Sequence, residues 1–123
     1  MGKKKYRLLI IDDNEEILVS LKNFLSKNNY QVVSASNGLD ALKLLEASKE
    51  DFDLVITDLV MPNISGVAIT AIIKKQNPQM PVIAITGYGE QPGALAKEAQ
   101  ADVVLEKPFK LEDLERQIKK LLS

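Results

Sequence analysis

Cysteine and histidine are both absent from the 123 residues of this sequence. Without cysteine the chain can form neither a disulfide framework nor a thiolate metal site. Without histidine it lacks the usual general base of enzymes and the most frequent ligand of transition metals. Any chemistry must therefore depend on carboxylates, hydroxyls, lysine and the backbone.

Aromatic residues and net charge are also scarce. Aromatic side chains make up 5% of the chain against 46% apolar residues, so an aliphatic core is expected. Sixteen Lys and Arg nearly balance 17 Asp and Glu, which gives no charge-driven attraction to nucleic acid or to anionic membranes. The apolar run at residues 8–11 is too short for a signal peptide or a membrane span. These features predict a cytoplasmic location, no membrane or direct nucleic-acid partner, and a single domain over residues 1–123.

Short apolar runs alternate with segments in which apolar residues recur at helical spacing. The apolar runs predict five strands, at residues 8–11, 32–33, 54–56, 82–85 and 103–105. The helical patterns predict five helices, around residues 17–25, 39–45, 67–73, 92–99 and 111–122, the fourth of them weakly. Continuous apolar strands indicate a sheet covered on both faces, and the alternation indicates a doubly wound parallel α/β sheet.

Polar residues follow the predicted strands at the points where the strands end. Asp12 and Asp13 follow the first strand, Asp58 the third, Thr86 the fourth and Lys107 the fifth. Because the carboxyl ends of parallel strands share one edge, and ligands bind at that edge, these side chains are expected to form one cleft.

Three carboxylates in one cleft repel each other, and a divalent cation relieves the repulsion. With no His or Cys in the chain, its ligands must be oxygens, which favours Mg²⁺ or Mn²⁺. Lys107 can pair with Asp58 or with a phosphoryl oxygen, and Thr86 offers a hydroxyl donor. This set suits phosphoryl transfer, in which Asp58 can be the nucleophile.

Each of these residues also has a purely structural explanation. Asp12 and Asp13 could cap the helix that follows them, and Asp58 could be a turn residue. Thr86 and Lys107 could end their strands without a further role. Only their joint occurrence, each at a strand end, argues for a site.

The stretches that contain these residues resemble the signature of bacterial-type response-regulator receiver domains. They are Leu9-Ile10-Ile11-Asp12-Asp13, Asp58-Leu59-Val60-Met61-Pro62, Thr86-Gly87 and Lys107-Pro108-Phe109. The resemblance extends over residues 6–122 and implies a flavodoxin-like sheet of order 2-1-3-4-5 flanked by five helices. It further implies a phosphorylation-dependent signalling switch of a two-component phosphorelay, not an enzyme, with no output domain in these residues.

By this resemblance Asp58 receives the phosphoryl group from a sensor histidine kinase or a phosphotransfer protein. Thr86 and Lys107 bind phosphoryl oxygens, and Gly87 leaves space beside the threonine. Phosphorylation then changes the surface around the last two strands and the last two helices. That surface acts on an unknown downstream protein or on an output domain located elsewhere.

The resemblance also implies the ligands of Mg²⁺. Asp13 and Asp58 would bind the ion through their side chains, Asp12 mainly through water, and Val60 through its backbone carbonyl.

Four positions depart from the usual family pattern. Val104 stands where the family carries Tyr or Phe, a ring that moves with the threonine. Gln100 replaces a glycine before the fifth strand, and Ile64 and Ser65 replace a methionine and an acidic residue.

Because Val104 is small and stiff, another element is expected to report the phosphorylation state. Residues 87–99, which are rich in glycine and include Tyr88, are predicted to form the partner surface together with the exposed face of the last helix.

Three other functions remain as alternatives. A Mg²⁺-dependent hydrolase of the haloacid-dehalogenase type would need Asp-x-Asp after the first strand, where Asn14 takes the third place. A flavodoxin-like electron carrier would need a Ser, Thr or Gly phosphate loop where Asp12 and Asp13 stand. A degenerate receiver that binds partners without phosphorylation would have lost an acid, the threonine or the lysine, and all are present.

Overall fold

Five strands form one parallel sheet in the computed structural model, which describes residues 5–47, 52–87 and 100–123. Along the chain they are β1 (Arg7–Ile11), β2 (Gln31–Ala35), β3 (Leu54–Asp58), β4 (Val82–Thr86) and β5 (Val103–Glu106). Their spatial order is β2-β1-β3-β4-β5, and every neighbouring pair is parallel. The doubly wound, flavodoxin-like α/β fold predicted from the sequence is thereby confirmed.

Four helices connect and follow the strands within the described ranges, not the five that were predicted. They are α1 (Glu15–Lys27), α2 (Gly38–Ala47), α3 (Gly66–Gln76) and α4 (Leu111–Leu122). The helix predicted around residues 92–99 lies outside the described residues. Of the helices seen in these ranges, none has the length and apolar character needed to cross a bilayer.

Helices cover the sheet on both faces, which explains the continuous apolar strands. In β1, Leu8 and Ile10 pack with residues of α1 and α4 in one core cluster. Their neighbours Leu9 and Ile11 pack with residues of α2 and α3 in a second cluster on the opposite face. Burial of each such side chain stabilises the fold by about 1.5–3 kcal/mol, so a polar residue at either face is disfavoured.

The edge strand β2 is longer than its apolar residues predict. The sequence indicated only residues 32–33, whereas β2 pairs with β1 from Gln31 opposite Arg7 to Ala35 opposite Ile11. Because β2 lies at the edge of the sheet, its polar members Gln31 and Ser34 keep access to solvent while their backbone joins the ladder.

Candidate functional site

The sheet topology brings the predicted site residues to one edge. Asp12 directly follows β1, Asp58 ends β3, Thr86 ends β4 and Lys107 directly follows β5. Backbone hydrogen bonds fix two of these ends, since the Lys107 N–H donates to the Thr86 carbonyl at 2.8 Å and the Leu59 N–H to the Ile85 carbonyl at 2.9 Å. The strand ends that carry the site are therefore held by the sheet and not by long loops.

Three carboxylates converge at this edge, as the sequence predicted. Oxygens of Asp12, Asp13 and Asp58 all lie within 4.8 Å of one another. Asp12 and Asp58 are buried, with 1% and 6% of their surfaces exposed, whereas Asp13 is exposed. Two acids are thus screened from water and the third faces solvent.

Lys107 supplies the positive charge that these buried acids share. Its Nζ lies 3.3 Å from Oδ2 of Asp58 and 3.5 Å from Oδ2 of Asp12. The other oxygen of each carboxylate accepts a backbone N–H, from Val60 at 3.1 Å for Asp58 and from Asn14 at 2.9 Å for Asp12. Each buried carboxylate therefore has one oxygen that accepts a backbone N–H and one that pairs with the Lys107 ammonium.

Burial raises the pKa of Asp58 above its ordinary value, and the nearby charge of Asp12 acts in the same direction. The Val60 N–H and the Lys107 ammonium act in the opposite direction without cancelling the effect of burial. For Lys107, burial alone would lower the pKa, but the carboxylates of Asp12 and Asp58 raise it above the ordinary lysine value. The ammonium consequently stays charged between the two acids.

The helix cap that follows β1 is Asn14, not the aspartates. The Oδ1 of Asn14 accepts the N–H groups of Glu16 at 3.0 Å and Ile17 at 3.2 Å. Asp12 and Asp13 are therefore not the cap of α1, and the capping explanation for them does not apply. The sequence analysis missed this role although Asn is among the preferred N-cap residues. With its oxygen engaged in the cap, Asn14 also gives no support to the hydrolase alternative.

Thr86, the last residue of β4, carries a buried hydroxyl. Its residue is 0% exposed, and its Oγ1 has no hydrogen-bond partner among the described residues. Buried hydroxyls are almost always hydrogen-bonded, so an orphaned one at a candidate site marks a place for an acceptor atom. A phosphoryl oxygen is such an acceptor.

Val60 and Val104, the two valines named from the sequence, differ in their exposure. Val60 lies two residues after Asp58, the last residue of β3, and is 49% exposed. Val104 in β5 is partly buried and packs against a small cluster containing Leu59 and Ala84. Tyr88 and the rest of residues 88–99, which were predicted to carry the output, lie outside the described residues.

Comparison with known proteins gives consistent matches. A family model described as response regulator receiver domain matches residues 8–119. The chain is 31% identical over 123 residues to the alkaline phosphatase synthesis transcriptional regulatory protein PhoP of Bacillus subtilis (strain 168), a match that covers 99% of this chain. The chain spans 49% of PhoP and between 12% and 22% of other curated relatives that it matches.

Solved structures agree with this assignment of fold. A response regulator receiver domain protein from Clostridium thermocellum superposes with a TM-score of 0.88 at 35% identity, over 95% of this chain and 94% of the other. The response regulator protein TrrA from Thermotoga maritima, solved in complex with Mg²⁺–BeF, superposes with a TM-score of 0.85 at 35% identity, over 95% and 99% of the two chains.

Proposed function

The chain belongs to the response regulator receiver domain family, and on that basis we propose that it accepts a phosphoryl group on Asp58, with Mg²⁺ bound beside it. Membership in the family makes it a phosphoacceptor of two-component signalling and not an enzyme. The observation that carries the proposal is the cluster of three carboxylates beside the Lys107 ammonium. Within that cluster, the family resemblance of the segment Asp58-Leu59-Val60-Met61-Pro62 favours Asp58, at the end of β3, as the acceptor.

Mg²⁺ fits the donor set at this edge. When Asp12, Asp13 and Asp58 are ionised, three negative charges face the single ammonium of Lys107, so two negative charges remain for a divalent cation. An all-oxygen site favours Mg²⁺, or Mn²⁺ as a substitute. Asp13 and Asp58 would hold the ion directly and Asp12 mainly through water.

Val60 would complete the site through its backbone carbonyl. The bound ion would supply positive charge to the oxygens of the incoming phosphoryl group. TrrA, with 35% identity, was solved with Mg²⁺ and with BeF, a phosphoryl mimic, and this supports the same pair of ligands here.

The chain's own residues account for the transfer. A carboxylate oxygen of Asp58 attacks the phosphorus of a phosphohistidine, the P–N bond breaks, and an aspartyl phosphate and a free imidazole result. Lys107, which pairs with this carboxylate before transfer, can then pair with a phosphoryl oxygen. The hydroxyl of Thr86, which has no partner in the part of the chain that the structure describes, donates to another phosphoryl oxygen and thereby gains an acceptor.

The phosphoryl donor in this proposal is a sensor histidine kinase or a phosphotransfer protein. The output surface includes residues 87–99 and the exposed side of α4, and its target is a downstream protein or an output domain located elsewhere. The cytoplasmic location and the single domain without an output domain stay predictions.

Incubation with acetyl phosphate and Mg²⁺, followed by intact-mass measurement, tests the proposal. The wild type should gain one base-labile phosphoryl group, and Asp58→Asn should gain none while keeping its circular dichroism spectrum. Asp113→Asn, which changes a partly exposed acid on α4, is the matched control and should behave as wild type. An unmodified wild type, or an Asp58→Asn variant that reacts at an unchanged rate, would refute the proposal.

A further inference from the structure

The start of α3 lies directly against the backbone of the acceptor. A Cβ atom added to Gly66 would overlap the carbonyl oxygen of Asp58, and it would lie 2.7 Å from the carbonyl carbon of Asp58 and 2.8 Å from Cα of Leu59. Gly66 is not in the left-handed backbone region, so space and not backbone angle requires a glycine here. Carbon atoms in contact stay about 3.5–4.0 Å apart, so any side chain at this position must separate α3 from the end of β3.

Hydrogen bonds oppose any movement of α3 away from the end of β3. The Gly66 N–H donates to the Leu59 carbonyl at 3.0 Å, and the Leu59 N–H donates to Ile85 of β4 at 2.9 Å. The buried hydroxyl of Thr70 donates to the Gly66 carbonyl at 2.7 Å. The backbone of Leu59, between Asp58 and Val60, is thereby hydrogen-bonded to β4 through its N–H and to α3 through its carbonyl.

A second glycine restrains the same loop from α2. A Cβ atom on Gly38 would lie 2.6 Å from Cβ and 2.8 Å from the carbonyl oxygen of Ile64. Ile64 is one of the positions where this chain departs from the usual family pattern, and its β-branched side chain fills the space that Gly38 leaves. The loop between β3 and α3 therefore contacts the start of α3 at its beginning, near Leu59, and the start of α2 near its end, at Ile64.

We infer that Gly66 is a positioning residue for Asp58 and Val60, with Gly38 supporting the same loop through Ile64. The inference depends on the proposed function, because it concerns how these two residues present their oxygens to Mg²⁺ and to phosphorus. Displacement of a reacting group by about 1 Å can lower a rate by about 10²-fold, and loss of outer support lowers metal affinity by roughly 10- to 100-fold.

The test compares Gly66→Ala and Gly38→Ala with wild type and with Ile118→Val. Ile118 is buried in α4 on the opposite face of the sheet, so its truncation lowers stability without touching the loop. Two quantities are measured in the full chain: Mg²⁺ affinity, followed by the amide resonance of Val60, and the rate of phosphorylation by acetyl phosphate. The Val60 amide is the reporter because it donates to the Asp58 carboxylate.

Gly66→Ala should remain folded and lose roughly 10- to 100-fold in both quantities, with a displaced Val60 resonance before metal is added. Gly38→Ala should show a smaller loss of the same kind, and Ile118→Val should match wild type. Wild-type affinity and rate in Gly66→Ala would overturn the inference. If Gly66→Ala does not fold, Gly38→Ala decides, and its equality with Ile118→Val would overturn the inference.

The experiment distinguishes failure of the proposed function from failure of the positioning role of Gly66. If the wild type takes up no phosphoryl group, the proposed function is wrong. The Mg²⁺ titration and the Val60 resonance still test whether Gly66 positions Asp58 and Val60. If wild type reacts and Gly66→Ala reacts equally well, only the positioning role fails.

Discussion

Removal of the Lys107 ammonium should destabilise the protein in the absence of metal. The substitution Lys107→Met deletes the charge and keeps most of the apolar stem. Two buried carboxylates, Asp12 and Asp58, then lose their shared counter-ion at 3.5 and 3.3 Å. The remaining like charges repel each other in a site from which water is largely excluded.

The magnitude follows from these distances. At an effective dielectric of about 20, unit charges near 3.4 Å attract by about 5 kcal/mol. Removing the ammonium also removes the cost of its partial burial, and breaking a buried pair usually costs about 3–5 kcal/mol. Because the lysine side chain keeps 26% of its exposure, we expect a smaller loss than this, about 2–3 kcal/mol in the free energy of unfolding.

Urea denaturation followed by circular dichroism, at neutral pH with a chelator present, measures this loss. The matched control is Lys119→Met, which deletes an exposed ammonium 3.7 Å from Glu115 and should cost no more than about 0.5 kcal/mol. Equal stabilities of Lys107→Met and Lys119→Met would show that the pairing of Lys107 with Asp12 and Asp58 does not stabilise the folded protein.

The pH dependence has a defined sign. Because the pKa of Lys107 is raised in the folded protein, its contribution is complete below the pKa of an unfolded lysine. The gap between wild type and Lys107→Met should therefore close as the pH rises through the raised value. It should also narrow in acid, where the carboxylates take up protons and no longer need a counter-ion.

Three further outcomes are expected. Asp13→Ala should lower Mg²⁺ affinity by about 1–3 kcal/mol in a titration, because one charged ligand is lost; an unchanged affinity would remove Asp13 from the site. Thr86→Val should raise the free energy of unfolding by about 1–3 kcal/mol in urea denaturation, since it deletes a buried hydroxyl that has no partner within residues 5–47, 52–87 and 100–123, and should weaken beryllofluoride binding. A lower stability of Thr86→Val would show that the hydroxyl is hydrogen-bonded in the wild type. Hydrogen exchange with and without beryllofluoride should change most in residues 86–99, and a response centred on Val104 would contradict this route.

Much of the fold could be predicted because the sheet is covered on both faces. Four consecutive apolar residues such as those of β1 supply two residues to each core cluster, so the run itself reports a central strand. The edge strand β2 was predicted too short because its polar members, Gln31 and Ser34, lie where solvent is accessible. A continuous apolar run indicates a strand that is buried on both faces, and an edge strand is less buried than a central one.

The composition of the site could be predicted, but its close contacts could not. Topology alone brings Lys107 to Asp58, since parallel strands end at one edge. The cap at Asn14 has a recognisable signal in the sequence, since Asn is a preferred N-cap residue and directly precedes the acidic first turn of α1. The close contact of Gly66 with the Asp58 carbonyl has no signal in the sequence. A glycine at this position is equally typical of a loop, and only the packing of α3 shows the contact.

Chemical trapping of the acceptor gives the most direct test of the account. Borohydride reduces an acyl phosphate to an alcohol, so treatment after reaction with acetyl phosphate and Mg²⁺ marks the phosphorylated carboxylate permanently. Peptide mapping should find homoserine at position 58 and aspartate unchanged at positions 12 and 13. Homoserine at position 12 or 13, or at any other aspartate with Asp58 unmodified, would show that Asp58 is not the acceptor.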